Sequence, residues 1–249
     1  MRNLKITLAY DGFDFHGWQV QPNLVTVQGL LSAAFESVTG ERVLPQGSGR
    51  TDAGVHALDQ VASCAISSPI PAANLVIALN HVLPPAVRVL GIEEAGPDFH
   101  ARASARAKTY RYRIWRAAVC PPFLARYVYH HPYPLDETAM AAAAGAVVGR
   151  HDFTSFAAVD PERGQEEQIS NVRTLHSSVW RRDGEELIYI VRGNGFLHHM
   201  VRNLAGTFLL VGKGSLSPAD IGRILQARNR SAAGPTAPAY GLYLAGVEY

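Results

Sequence analysis

Apolar and polar residues alternate from the start of the chain, and the run Leu4-Lys-Ile-Thr-Leu-Ala-Tyr10 predicts a half-buried strand. Asp11-Gly-Phe-Asp-Phe-His-Gly-Trp-Gln19 then mixes turn residues with Phe13, Phe15 and Trp18. Those rings either anchor a loop or offer a surface to bases. Next the period lengthens. Val27, Leu30, Leu31, Ala34, Phe35 and Val38 recur at helical spacing, Thr26 stands at the N-cap position, and Gly40 stops the helix. Arg42-Val-Leu44 and Gln60 to Ile66 read as strands on either side of a glycine-rich loop. A helix over Ala72 to Val82 ends at Pro84-Pro85, and Val87 to Ile92 reads as a strand.

In the second half, Lys108 to Trp115 alternates again. Tyr110, Tyr112 and Ile114 share the face suited to a core, while Thr109, Arg111, Arg113 and Trp115 share a face suited to a polyanion. Paired and nearby prolines at 121–122 and 132–134 bracket an irregular segment. An alanine-rich helix is expected from Asp136 to Val148, packing through Ala139, Met140, Ala143 and Val147. A polar loop, expected to be mobile, runs from Asp160 to Ser170. Val172 to Arg181 and Leu187 to Arg192 form a hairpin across Asp183-Gly184. The stretch Gly193 to Asn203 opens a helix buried through Leu197, Met200, Val201, Leu204 and Phe208, which puts His198 and Arg202 four apart, off that stripe. Ser217-Pro218 starts a last helix with proline at its first position, and Gly241 to Val247 is a closing strand. The pattern predicts an α+β protein with a mixed or antiparallel sheet and flanking helices, divided into lobes at 1–104 and 105–249.

Composition narrows this. The chain has 249 residues, 47% hydrophobic and 18% charged, which suits a folded protein and not a disordered one. No apolar run approaches the roughly 18 residues of a membrane span, and the first residues lack a signal peptide's apolar core. Cys64 and Cys120 form neither a metal-ligand spacing nor a disulfide framework. A cytoplasmic protein with no membrane association is expected. The net charge is only +2, but its distribution is uneven. Between Asp98 and Asp136 there is no acid, while Arg102, Arg106, Lys108, Arg111, Arg113, Arg116 and Arg126 all fall there. A second acid-free window, from Glu186 to Asp220, holds Arg192, Arg202 and Lys213. Cations interleaved with Tyr110, Tyr112 and Trp115 suit an RNA surface, the cations for phosphate and the rings for stacking.

The sharpest candidate chemistry is in Gln46-Gly-Ser-Gly-Arg-Thr-Asp-Ala-Gly-Val-His56, where three glycines surround Arg50 and Asp52. A carboxylate on such a loop is a candidate nucleophile or base. The alternative is an Asp that caps its own turn. The metal-ligand, Gly-x-Ser-x-Gly and phosphate-loop patterns are all absent. What is left is one Asp, arginines able to favour its charged form, a tyrosine and an RNA-like surface.

Arg50-Thr-Asp-Ala-Gly-Val-His56 resembles the catalytic-aspartate loop of the TruA family of tRNA pseudouridine synthases. The likeness extends in order through Tyr10 to Gln19, Ala78 to Pro85, Phe99-His-Ala-Arg102, Lys108-Thr-Tyr-Arg-Tyr112, His151-Asp-Phe153, Gly195 to Asn203 and Ala237 to Leu244, nearly the whole chain. One departure is Ala86, where the family more usually has an acid; it lies outside the catalytic motifs. The resemblance implies an isomerase that converts uridine to pseudouridine at neighbouring positions of the tRNA anticodon stem-loop, without cofactor or metal. It implies a two-lobed fold with a central cleft, and a homodimer in which one tRNA touches both subunits. It makes Asp52 the nucleophile, Tyr110 a ring stacked on the target uracil, Arg202 the partner of Asp52, and Arg50 and Leu242 further substrate contacts. Two other readings fit less well. A tRNA-binding protein without catalysis would need neither Asp52 nor Tyr110. An Asp-nucleophile phosphotransferase would want a second acid and magnesium ligands, whereas the nearest acid, Asp59, stands alone.

Overall fold

A computed structural model describes residues 1–159 and 170–249, so the polar loop expected from Asp160 lies outside the described residues except for Ser170. In chain order the elements are β1 (Arg2–Tyr10), α1 (Val27–Thr39), β2 (Gln46–Gly47), β3 (His56–Ile66), α2 (Ala72–Val82), β4 (Val87–Ala95), β5 (Ala107–Trp115), β6 (Tyr129–His130), α3 (Glu137–Gly145), β7 (Gly149–Asp152), β8 (Val172–Asp183), β9 (Glu186–Gly193), α4 (Met200–Gly212), α5 (Asp220–Ala227) and β10 (Leu242–Glu248). The class is α+β with mostly antiparallel pairing, as the alternation predicts. The chain divides into two compact units, Met1–Arg106 with Tyr243–Tyr249, and Ala107–Leu242.

In the first unit the strand order is β4-β1-β3-β10. β1 runs antiparallel to both β3 and β4, and its alternation buries Leu4, Ile6 and Leu8 completely. β10 joins β3 in parallel, Tyr243 opposite His56 and Leu244 opposite Ala57. Helix α1 begins where Thr26 accepts a hydrogen bond from the Gly29 amide, a cap worth about 1 kcal/mol. It ends at Gly40, whose φ of 75° glycine adopts without strain. Residues 42–44 do not form the expected strand; only Gln46 and Gly47 pair with β3. The reason lies in α1. Gln28 Nε2 donates to Pro45 O at 3.0 Å and Ser32 Oγ donates to Val43 O, so helix side chains take carbonyls that a strand partner would otherwise use.

In the second unit the order is β5-β9-β8-β7, with β6 parallel to β5. The β8–β9 hairpin turns at Gly184, φ 55°, as expected from Asp183-Gly184. Tyr112 and Ile114 of β5 are fully buried, and Tyr189, Phe208 and Phe153 are buried in the same unit. Tyr189 meets Phe208 edge-on at 5.3 Å, which ties β9 to α4.

Three helix boundaries differ from expectation. α3 stops at Gly145 instead of Val148, where Val148 N–H bonds only back to Gly145 and Gly149 turns at φ 106°. α5 starts at Asp220, two residues beyond Pro218, because Ser217 N–H and Oγ both bond to Asp220 Oδ2 in a turn that leads into the helix. The third concerns α4, which begins only at Met200, after His199 at φ 57°. His198 O accepts from Ala158 N–H, which holds the preceding residues out of the helix. His198 and Arg202 are therefore not neighbours on one helical face.

Candidate active site

The Arg50–Asp52 loop sits on a buried polar network between β1 and β3. Gln60, fully buried on β3, accepts from Ser48 Oγ at 2.7 Å and donates to Gly49 O at 2.8 Å. Tyr10 Oη, at the end of β1, lies 2.8 Å from Thr51 Oγ1 and 3.4 Å from Gln60 Nε2. Burial pushes the Tyr10 hydroxyl up to about 12, against the pull of the Thr51 and Gln60 hydrogen bonds, so it stays neutral at physiological pH. Ser48 and Thr51 are buried, Asp52 is half-buried and Arg50 is exposed. Val55 N–H closes a turn onto Asp52 O at 3.1 Å. The loop is thus pinned on the residues before and after Asp52.

The Asp11–Gln19 stretch provides the other clamp. Trp18 N–H donates to Thr51 O at 3.0 Å, and Gly54 N–H donates to Phe15 O at 3.2 Å. Trp18 is buried against Gly47, and Phe15 is buried as well, so these two rings are loop anchors; Phe13 is exposed. At Gly17 a Cβ would lie 2.6 Å from Thr51 O, and its φ is +85°. At Gly12 a Cβ would overlap Val55 O at 1.8 Å. Behind the loop, His56 Nδ1 lies 3.1 Å from both Gly12 N and Asp11 Oδ1, and its ring stacks on Tyr243 at 4.7 Å.

The clamp sets up a comparison of two glycines. Gly17→Ala combines left-handed strain with a backbone clash and should destabilise the protein by about 3 kcal/mol, lowering the melting midpoint by roughly 6–12 °C. Gly40→Ala has the same strain but open space around it, and should cost only about 1 kcal/mol. Equal shifts in thermal unfolding of the two variants would mean that the contact with Thr51 O is unimportant.

The other candidates lie in the second unit. Tyr110 on β5 is only 7% exposed, and Phe196 meets it edge-on at 5.0 Å. Its packing against Phe196 fixes the plane of the ring. Arg202, on the first turn of α4, is half-buried, and its Nε donates to Ala237 O at 2.8 Å. Ala237 N–H returns a bond to Arg202 O at 3.1 Å. Tyr112 Oη donates to Pro238 O at 3.0 Å, and Leu242, the first residue of β10, is buried. Arg202 is therefore not the solvated helix cation its sequence position alone would suggest.

The expected polyanion face needs a correction. Arg111 is exposed on it, but Arg113 forms a two-pronged pair with Glu186, its Nε 2.7 Å from Oε2. Arg116 is turned inward, bonded to His131 O and 3.7 Å from Glu137. Arg102, Arg106, Arg111 and Arg126 are the exposed arginines of that window. Nothing in the local sequence separates the two groups, since Glu186 and His131 reach them only through the fold.

The network under the loop is missed by motif reading. Gln60 carries no motif signal, and the stretches that contain Tyr10 and Ser48 do not show that the two meet in one network. A family model described as tRNA pseudouridine synthase matches residues 6–102 and 143–249. The chain is 54% identical over 249 residues to "tRNA pseudouridine synthase A" of Solibacter usitatus, covering 100% of both. It is 47% identical to the protein of the same name from Moorella thermoacetica, with 99% of each chain covered, and 43% identical to that of Caldicellulosiruptor bescii, with 100% of each covered. With a matching family model over most of its length and full-length relatives of one name, this chain belongs to the tRNA pseudouridine synthase family, isomerases that turn uridine into pseudouridine in tRNA.

Proposed function

We propose that this enzyme modifies neighbouring uridines in the anticodon stem-loop of tRNA, with the Asp52 carboxylate as its nucleophile. The observation that carries this is the pinning of Asp52. It is the only acid in a loop held by Gln60, Tyr10 and Trp18, which is how a reacting group is kept in one geometry. The reaction must break the N1–C1′ bond, turn the uracil, join C5 to C1′ and release the C5 proton. A carboxylate can trap the sugar centre as in retaining glycoside chemistry, or add to the ring, or act as a base toward the sugar. On this reading Tyr110 stacks on the flipped uracil, Arg202 is the counter-charge of Asp52, and Arg50 and Leu242 contact the substrate. No metal or cofactor takes part. The enzyme works as a cytoplasmic homodimer, with one tRNA touching both copies.

The direct test is to incubate purified protein with unmodified tRNA transcripts and map pseudouridine at single-nucleotide resolution. Modification confined to the anticodon stem-loop is expected. Modification in another arm, or none, would overturn the site assignment, and a monomer by light scattering with and without tRNA would overturn the dimer.

Charge supports the RNA surface, and salt tests it. If the four exposed arginines of the first basic window each neutralise a phosphate, log affinity should fall with log salt at a slope of roughly −3 or steeper. Affinity that stays flat between low and moderate salt would count against a tRNA-sized footprint.

A further inference from the structure

The segment from Ala233 to Ala237 lies against α4 with no room for a side chain at Gly206 or Gly234. A Cβ on Gly206 would meet Pro235 O at 1.8 Å, and one on Gly234 would meet Thr207 Cα at 2.8 Å. Gly234 N–H donates to Thr207 Oγ1 at 2.9 Å. At the far end of this strap Ala237 and Arg202 are clasped by the two bonds described above. The aim of the Arg202 guanidinium therefore depends on where the strap puts the Ala237 carbonyl.

The strap is held by Arg230. Its Nη1 donates to Gly234 O at 2.9 Å, and its Nη2 donates to Thr236 Oγ1 at 3.2 Å and Asn203 Oδ1 at 3.0 Å. Thr236 Oγ1 donates to the same Asn203 oxygen at 2.7 Å. Asn203 is fully buried, and its Nδ2 is held by Phe156 O at 2.7 Å. One guanidinium thus bridges the strap and the residue that follows Arg202 on the helix. These partners are neutral oxygens, so the fork serves as a geometric brace, and its five fixed donors suit that use. Burial pulls the Arg230 side chain below its ordinary range, without threatening its charge at neutral pH.

We propose that Arg230 is a positioning residue for the isomerisation, setting the aim of Arg202 through Asn203, Thr236 and the Ala237 carbonyl. The proposal rests on the assignment of Arg202 to the site. Lysine carries one nitrogen and cannot reach the strap carbonyl and the Asn203 oxygen with the same fork geometry.

The experiment is single-turnover pseudouridine formation in tRNA by Arg230→Lys, made in the full-length enzyme and again in an Arg202→Ala background. In the wild-type background Arg230→Lys should slow turnover about tenfold while leaving tRNA affinity within about twofold. In the Arg202→Ala background it should change the rate by less than about twofold, because a brace has no effect once its target is gone. Thr236→Val removes one arm of the network and should show the same pattern at about threefold, which keeps the test available if Arg230→Lys does not fold. A general structural role would slow both backgrounds alike and move the melting midpoint. Equal slowing in both backgrounds, or wild-type turnover by both variants, would overturn the positioning role alone. Wild-type turnover by Arg202→Ala itself would overturn the assignment of Arg202, and this proposal with it.

Discussion

Asp52→Asn should lower pseudouridine formation by more than about 1,000-fold while leaving tRNA affinity within a few-fold. Asparagine nearly matches aspartate in shape, so the substitution removes charge and nucleophilicity and little else. The loop should tolerate this because it is also held at points on either side of the Asp52 side chain. Thr51 is fixed by Tyr10 Oη and by Trp18 N–H, and the turn after Asp52 is closed through the Asp52 backbone carbonyl, which asparagine keeps. Thermal unfolding of the variant should therefore stay close to wild type. Affinity should hold because the cations of the basic windows are untouched. Turnover at even a tenth of the wild-type rate, measured with folded protein, would remove Asp52 from the nucleophile role and leave the loop as a binding element.

How much of this site could be read without the fold depends on the range of each interaction. Short-range signals transferred well. The Thr26 cap, the Gly40 stop and the Asp183-Gly184 turn each act within a few residues, and each is found. The alternation of β5 likewise places Tyr110, Tyr112 and Ile114 inside. Long-range signals did not transfer. Gln60 braces the loop from 11 residues away, and β10 reaches β3 across most of the chain; neither leaves a local pattern. The apolar period continues back through Leu197 and so predicts too early a start for α4, because His198 O is taken by Ala158 N–H. Hydrophobic period records which side chains can share a face, not which backbone groups are already bonded elsewhere. The arginines show the same limit. Arg111 and Arg113 are equivalent in sequence, yet one is exposed and the other is spent on Glu186.

Arg202 is the second residue whose replacement should have a large effect, and two substitutions separate its possible roles. A solvated cation could become alanine or lysine at a cost within about 0.5 kcal/mol and no change in rate. Arg202 is half-buried and bonded through Nε to Ala237 O, so alanine should cost about 1.5–3 kcal/mol of stability from the lost charged hydrogen bond alone. Turnover distinguishes that loss from a role in the reaction. If Arg202 is the counter-charge of Asp52, it must present a cation in a fixed direction, and Nε is the atom that fixes it. Alanine removes both cation and direction, and single-turnover rates should fall by at least about 100-fold. Lysine restores the charge but has no Nε to give to Ala237 O while its head group points elsewhere, so it should remain about tenfold below wild type. Guanidinium ion supplied in solution should recover part of the alanine variant's rate and none of the lysine variant's, since only alanine leaves the volume empty. Each rate is to be compared at a temperature where unfolding scans show the variant fully folded. Equal turnover by all three proteins would make Arg202 a structural clasp for the Ala237 strap and leave Asp52 to act without it.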